Sequence, residues 1–406
     1  MGKIELKKDI ILSIVVKTLV LILNFAIVWL TARLWGAEGR GAIAIFIANL
    51  GIIAIVCNIF TQSSVSYFFK KVDVGKLASQ AYIWVVLASA ICSILCGFFN
   101  LPHSLIFLLF VVATLTGFIA FHNALFLGDQ QISNYNLILL LQPALLLVCI
   151  GVFFLINKEL GYITYFYSQI ISLTILLIIV KILTKKKIGK FNYSLDSIVV
   201  KNSFNFGWQV ELSGLLQFLN YRFSMFILER MTGLGEVGVF SIGIQITETI
   251  WIFSRSISLV QYSNVLNLGD TIKSRKETEK MSLLSFYISF ACILIIILLP
   301  ANFFTFIFGD EFADVKRVIL LLSPGTLAIA ASNVFGNYFS AIGKLKILII
   351  KSLVGLIFTI ILSYILIPKM QIQGASIVNS ISYIVSSVIL FGYYYFVHKK
   401  NAIVKK

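Results

Sequence analysis

Long apolar runs follow one another along almost the whole chain, twelve in number, and the polar links between them are too short to fold on their own. A hydrocarbon core about 30 Å thick is crossed by about 20 apolar residues in a helix, and each run supplies roughly 20 to 28. The pattern predicts spans at 10–35, 42–69, 77–99, 104–127, 134–156 and 162–183, then at 203–231, 235–262, 281–308, 316–342, 346–367 and 374–397. Core helices of soluble proteins are apolar along one stripe, whereas these runs are apolar on nearly every side. The expected class is an all-α polytopic membrane protein without a soluble domain, so any site lies inside the bundle or at its mouths.

The longest polar interval, TKKKIGKFNYSLDSIVVKN over 184–202, divides the runs six and six. It predicts an N-terminal six-helix lobe over 1–183, a cytoplasmic linker over 184–202 and a C-terminal six-helix lobe over 203–406. Six is even, so the second set starts on the same side as the first. The lobes are then expected to be parallel repeats about a pseudo-two-fold axis along the membrane normal. RLWGAEGRGAIAIF from Arg33 aligns without gaps on RMTGLGEVGVFSIG from Arg230, setting Arg33 on Arg230, Gly36 on Gly233 and Gly41 on Gly238. Glycine suits both a turn with positive φ and close helix approach. A second match sets FLGDQQ, with Gly128, beside AIGKLK, with Gly343.

The formal charge of +16 would suggest nucleic acid in a soluble protein, but here its placement reports topology, because cytoplasmic loops collect Lys and Arg. With the N-terminus inside, that side holds Lys3, Lys7, Lys8, Lys70, Lys71, Lys76, the run from Lys185 to Lys190, Lys273 to Lys280, Lys344, Lys346 and the tail lysines. The other side has only Arg40, Lys158, Lys316, Arg317 and Lys369. Both termini are expected in the cytoplasm, with the basic loops touching anionic headgroups. The first run is too long for a cleaved signal and is expected to remain as a helix. The five cysteines fall within spans, where they read as small core residues.

The segments GAEGRGAIAIFIANLG, FGDEFADVKRVILLLSPGTLAIA, AIGKLK and IPKMQIQGASIVNSISY resemble the polysaccharide exporter branch of the multidrug/oligosaccharidyl-lipid/polysaccharide (MOP) superfamily, and within it the Wzx-type flippases of O-antigen and capsule repeat units. The resemblance covers essentially the full length, but its motifs are structural turns. It implies a MATE-like fold and movement of undecaprenyl-pyrophosphate-linked oligosaccharide from the cytoplasmic to the outer leaflet of a bacterial inner membrane. The polymerase and chain-length regulator of the same pathway are the partners it would imply. Lipid II flippases usually carry two further spans, which argues against a peptidoglycan substrate.

Charges within a span cost roughly 2.5–3.5 kcal/mol at its centre, so each needs a reason. Glu248 lies near the middle of span eight, Arg255 is seven residues on and close to the same face, and Gln245 lies to the other side. Two readings stand: a charge network tying helices, or a cavity lining with Glu248 as the protonation site. Glu211 and Arg222 are eleven residues apart on one face of span seven, about 16 Å in rise, too far to pair but suited to one wall at two depths. Gln217, Asn220 and Trp208 lie on other faces. Lys17, Asn24 and Thr31 recur every seven residues toward Arg33, and Asn58, Gln62 and Ser66 share a face of span two. Lys17 and Arg222 either line a cavity or snorkel to the interface, and Lys351 reads as an interfacial anchor.

Lys17, Arg33, Arg222 and Arg255 outnumber Glu211 and Glu248, so a cavity between lobes would be cationic, with Asn24, Gln62 and Gln245 as further polar lining. Such a cavity would attract a pyrophosphate, which the Arg fork holds through two bonds. Tyr221, Trp251, Tyr262 and Tyr338 are candidates for stacking on sugars. A cation-coupled efflux antiporter of the same superfamily is the alternative and would present an anionic cavity. No enzyme is expected, because the outer loops are about seven residues or fewer and His103, His122 and His398 lack metal-ligand spacing. No cofactor is expected beyond H⁺ or Na⁺ coupling at Glu248 or Glu211.

Overall fold

The computed structural model describes residues 3–99, 102–156, 161–188, 196–269 and 271–404, all of them in helices and the turns between them. Lys158, Lys190, Lys405 and Lys406, counted above for topology, and the middle of the 184–202 interval lie outside these residues. The order is α1 (Lys3–Asn58), a π-helical turn (Ile59–Ser63), α2 (Ser64–Phe68), α3 (Val74–Phe99), α4 (His103–Gly128), α5 (Ile132–Ile156) and α6 (Ile163–Ile188). Then come α7 (Ser197–Thr232), α8 (Leu234–Leu268), α9 (Ile272–Leu298), α10 (Ala301–Phe308), α11 (Val315–Ala341) and α12 (Lys346–Val404).

Nine helical segments among the described residues are long and apolar enough to cross a membrane. Two of them hold two spans each, because α1 breaks at Gly36 (φ 63°, ψ −166°) and α12 at Gln371 (φ 49°, ψ −127°). α7 falls outside the nine because Lys201, Glu211, Arg222, Glu229 and Arg230 interrupt its apolar surface, yet its 36 residues are ample for a crossing. About twelve crossings result, and the protein is a multi-pass membrane protein. Span nine differs from its expected bounds of 281–308. The helix starts at Ile272, so Lys273–Lys280 occupy its first turns, and it stops at Leu298. Proline disfavours helical backbone in the residue before it, and here Leu299 is extended (ψ 136°) and Pro300 caps the separate helix α10.

The chain condenses into two compact units, Met1–Trp35 with Ala42–Leu215, and Gly36–Gly41 with Leu216–Lys406. In the first, α4 packs against α3 and α6, and α6 against α5, over a core that includes Val65, Leu77, Ala81, Phe121 and Leu125. His122 is buried there between Thr184 (Nδ1, 2.7 Å) and Tyr82 (Nε2, 2.8 Å). Thr184 donates its hydroxyl proton to the Val180 carbonyl, so it accepts from the imidazole, and the ring joins α3, α4 and α6. In the second unit α11 packs on α8, α9 and α12. Small hydroxyls stitch the seam, with Ser254 and Ser285 both donating to the Ala330 carbonyl and Ser282 to that of Ala331.

The internal repeat has a conformational counterpart. Gly233 (φ 92°, ψ −177°) adopts nearly the backbone of Gly36, which only glycine adopts without strain. Beyond each bend the helix starts pack reciprocally in the second unit. A Cβ on Gly41 would sit 1.9 Å from the Leu234 carbonyl oxygen, and one on Gly238 would sit 1.9 Å from that of Ala37. The second match holds in a shifted register. α4 and α11 both end in Schellman turns, Gln131 N–H to Phe126 O and Lys344 N–H to Phe339 O, with Gln130 and Gly343 in the left-handed position. Gly343 therefore corresponds to Gln130, and Gly128 is glycine because a Cβ would meet the Phe69 side chain at 2.8 Å.

Candidate functional site

In the second unit two charged side chains meet near the middle of α8. The Arg222 guanidinium on α7 forms a fork with the Glu248 carboxylate on α8, Nη1 to Oε1 at 2.7 Å and Nη2 to Oε2 at 2.8 Å. Both side chains are about one-fifth exposed, 22% and 23%. A bidentate, charge-assisted pair of this kind is among the stronger polar contacts available. Breaking a fully buried pair costs roughly 3–5 kcal/mol, because the remaining charge is left unsolvated.

Aromatic rings pack beside the pair. Tyr221, Trp251 and Tyr383 form a triangle with centroids 5.4, 5.1 and 5.6 Å apart, over Ile329 and Ala330. The Trp251 indole donates to the Thr326 carbonyl at 3.2 Å, and the Gln217 amide donates to the Tyr221 hydroxyl at 2.6 Å. Asn379 accepts from Ser224 (2.6 Å) and donates toward Tyr383 (3.4 Å). One turn away Asn220 Oδ1 accepts from Thr359 (2.7 Å) and from Ser382, at a point where Gly355 lets the helices close. The site is thus an ion pair beside a hydrogen-bonded polar core.

The remaining sequence candidates are dispersed. Arg255, expected beside Glu248 by helical repeat, is exposed, and the partner of Glu248 is Arg222 on the neighbouring helix. Lys17, Asn24, Arg33 and Gln62 are exposed positions of the first unit, and the Asn24 amide donates to the Val20 carbonyl. Glu211 accepts from Ser63 within the first unit, so it and Arg222, though on one helix, belong to different units. Gln245 accepts from Arg40 at 3.3 Å. Arg40 itself, counted among the outer-loop charges, is 4% exposed, because the bend draws it into the second unit.

Lys351 is no interfacial anchor. It is 7% exposed, on the same stripe of α12 as Gly355 and Thr359, with no ion pair among the described residues. Trp251 and Tyr338, expected to meet sugars, are core residues instead, and Tyr221 and Tyr262 are half-buried, because the apolar faces of these rings pack helix against helix.

Two further acids were missed. Glu311, following Gly309, accepts from the Ala37 amide at 2.5 Å and caps the second arm of α1, while Glu236 lies close to the Ile372 backbone where the second arm of α12 begins. The bend in α1 thus exposes a backbone N–H that a carboxylate satisfies. The proximity of acids to the bends in sequence carries no signal, since Glu311 lies 274 residues from Ala37.

No family model matches the chain. Its fold is similar to that of a MATE multidrug resistance transporter of the MOP superfamily, solved in an inward-facing conformation, with a TM-score of 0.78, 16% identity and 95% of each chain covered. This protein has a MATE-like fold. The lipid II flippase MurJ in an inward closed conformation is similar to the same degree, with a TM-score of 0.77, 14% identity, and 94% of this chain and 87% of that one covered. The MATE transporter DinF-BH follows at 0.68 and 15%, covering 96% of this chain and 94% of that one. In sequence the chain is 26% identical over 266 residues to the capsular polysaccharide biosynthesis protein CapF of Staphylococcus aureus. That match takes in 62% of this MATE-like chain and 66% of the length of CapF, just under two thirds.

Proposed function

We propose that this MATE-like protein is a flippase for undecaprenyl-pyrophosphate-linked oligosaccharide repeat units, of the Wzx type, working by alternating access in the bacterial cytoplasmic membrane with both termini in the cytoplasm. The observation that carries the reading is the Arg222–Glu248 fork. A guanidinium held by a carboxylate in a low-dielectric core is matched in shape to a phosphate, which offers the same two-oxygen edge with more charge. Glu248 then acts as the resident counter-ion, occupying Arg222 when no substrate is bound. Similarity to CapF supports a glycan pathway, and the fold shared with MurJ supports a lipid-linked cargo. Arg33, Lys17 and Arg255, all exposed, supply further positive charge to the headgroup's route.

A headgroup with about two negative charges leaving a cell that is negative inside gains roughly 2.3 kcal/mol per charge per 100 mV. The demanding step is then the return of the empty carrier. Protonation of Glu248, or of Glu211, or sodium binding at either, is proposed to tune that return.

Efflux of organic cations is the second reading, favoured by a MATE neighbour as similar in structure as MurJ. Reconstituted vesicles decide between them. Undecaprenyl-pyrophosphate-linked oligosaccharide should cross faster than in protein-free vesicles, and ethidium should not. Ethidium transport without glycan transport overturns the proposal.

A further inference from the structure

The first unit carries a second constellation that the phosphate reading leaves unused. At the end of the second span, one five-residue π-helical turn, Ile59–Ser63, interrupts otherwise α-helical backbone. Such turns are rare and concentrate at functional sites, because the wider ring re-aims side chains at the cost of regular hydrogen bonds. Here the turn is held from both sides. Ser64 donates to the Ile59 carbonyl at 2.7 Å, and α7 seats on the same carbonyl at Gly207, where a Cβ would lie 2.1 Å from the oxygen. The turn presents Gln62 outward and places the Ser63 hydroxyl on the half-buried Glu211 carboxylate through Oε1.

Beside that carboxylate, Phe204, Trp208 and Glu211 lie four and three residues apart on one face of α7. The Phe204 and Trp208 rings are parallel, 7° apart in plane with centroids separated by 6.5 Å, and Trp208 is 43% exposed. Tyr67, 48% exposed, stacks on Phe206 at 4.4 Å, and the Lys71 ammonium lies 3.6 Å from the Tyr67 ring centroid. A face turned only to lipid has no use for a carboxylate and a primary amide at its centre, since each costs free energy there.

A pyranose ring is complementary to this combination. Its C–H face meets the negative face of an aromatic ring, and its rim of hydroxyls donates to a carboxylate and exchanges hydrogen bonds with an amide. We propose that Trp208, Phe204, Gln62 and Glu211 form a saccharide subsite of the first unit, distinct from the Arg222 fork, that takes a sugar of the lipid-linked glycan. The proposal rests on the flippase reading.

The test uses the full chain in vesicles with undecaprenyl pyrophosphate carrying a tritiated N-acetylhexosamine oligosaccharide. p-Benzoylphenylalanine replaces Trp208, Phe218 beside Arg222, or the exposed Ile178 of α6, and the vesicles are irradiated. Mild acid then cleaves the sugar–phosphate bond, so label survives on the protein only where the crosslink is to sugar. Acid-stable label at 208, at least fivefold above that at 178, is expected. Glu211→Gln in the same background should lower that yield about tenfold, since a hydrogen bond to a charged group is lost. Acid-labile label at 208 means contact with the lipid portion and overturns the subsite, as does an unchanged yield in Glu211→Gln. Label at 218 alone overturns the subsite and leaves the flippase reading standing. No label at any position overturns both.

Discussion

Replacing both members of the Arg222–Glu248 pair separates two roles that single substitutions confound. Arg222→Ala leaves the Glu248 carboxylate in a site about one-fifth exposed. The cost of orphaning a fully buried charge, roughly 3–5 kcal/mol, falls with that access to about 2–4 kcal/mol. The second unit is a body of about 200 residues, for which each kcal/mol moves Tm by about 2–4 °C, so the single variant should melt roughly 4–16 °C lower. Arg222→Leu with Glu248→Leu removes both charges and restores an apolar contact, which is often neutral or stabilising. Its Tm should return to within about 2 °C of the parent.

Surface glycan in cells expressing each variant provides the second readout. If the fork receives phosphate, the Leu–Leu variant is stable yet exports no glycan, and Arg222→Lys, which keeps charge but loses the fork, exports a fraction. A Leu–Leu variant that recovers both stability and export would show that the pair only ties α7 to α8, and the phosphate argument would be refuted. An Arg222→Ala protein melting within 1 °C of the parent would refute the burial argument itself.

Gly41→Ala and Gly238→Ala should each cost about 1–3 kcal/mol, since a methyl group must displace a backbone carbonyl, and both should lower the yield of folded protein in the membrane, read by Tm and by quantitative blot. Lys351→Met should raise Tm or leave it unchanged, because a buried ammonium with no ion pair is replaced by an apolar chain of similar length; a drop beyond 3 °C would mean that the ammonium is held by something essential. Outside the membrane, the hydrogen bond from Lys76 and the amides of Val199 and Ile198 hold the Asp196 carboxyl below its usual range. A depressed carboxylate contributes stability that is complete above its unfolded value and lost as pH falls through the folded one. Asp196→Asn should therefore lower Tm slightly at neutral pH and by progressively less as pH falls through the folded value, so that the acid limb of the stability–pH curve flattens. Cysteines placed at Lys273 should resist an impermeant thiol reagent in whole cells while cysteines at Glu38 react, and the reverse pattern would overturn the topology.

Apolar run length fixed where the helices are, because burial in hydrocarbon is a local property of about 20 consecutive residues. The bends were legible for a similar reason, since positive φ at Gly36 and Gly233 is a single-residue requirement written as glycine. Even the shifted second repeat shows the limit, because a Schellman turn accepts Gln130 where its counterpart holds Gly343, and identity alone misaligned the two.

Which helix faces touch is a different matter, decided by packing summed over many residues. Helical repeat placed Arg255 beside Glu248, but that geometry governs only one helix, and the carboxylate turns to Arg222 across α7 and α8. Lys351 read as an anchor because its distance from the helix start was visible and the face it turned inward was not. Trp251 and Tyr338 are of the same residue types as exposed Trp208 and Tyr67, and only tertiary packing assigned the first pair to the core and the second to the surface. The sequence by itself determined the spans, the turns and the repeat, each set within one helix or one turn. The ion pair, the acid cap on the α1 bend and the carboxylate at the π-helical turn were decided by tertiary structure, because each joins groups that the chain brings together only when separate helices pack.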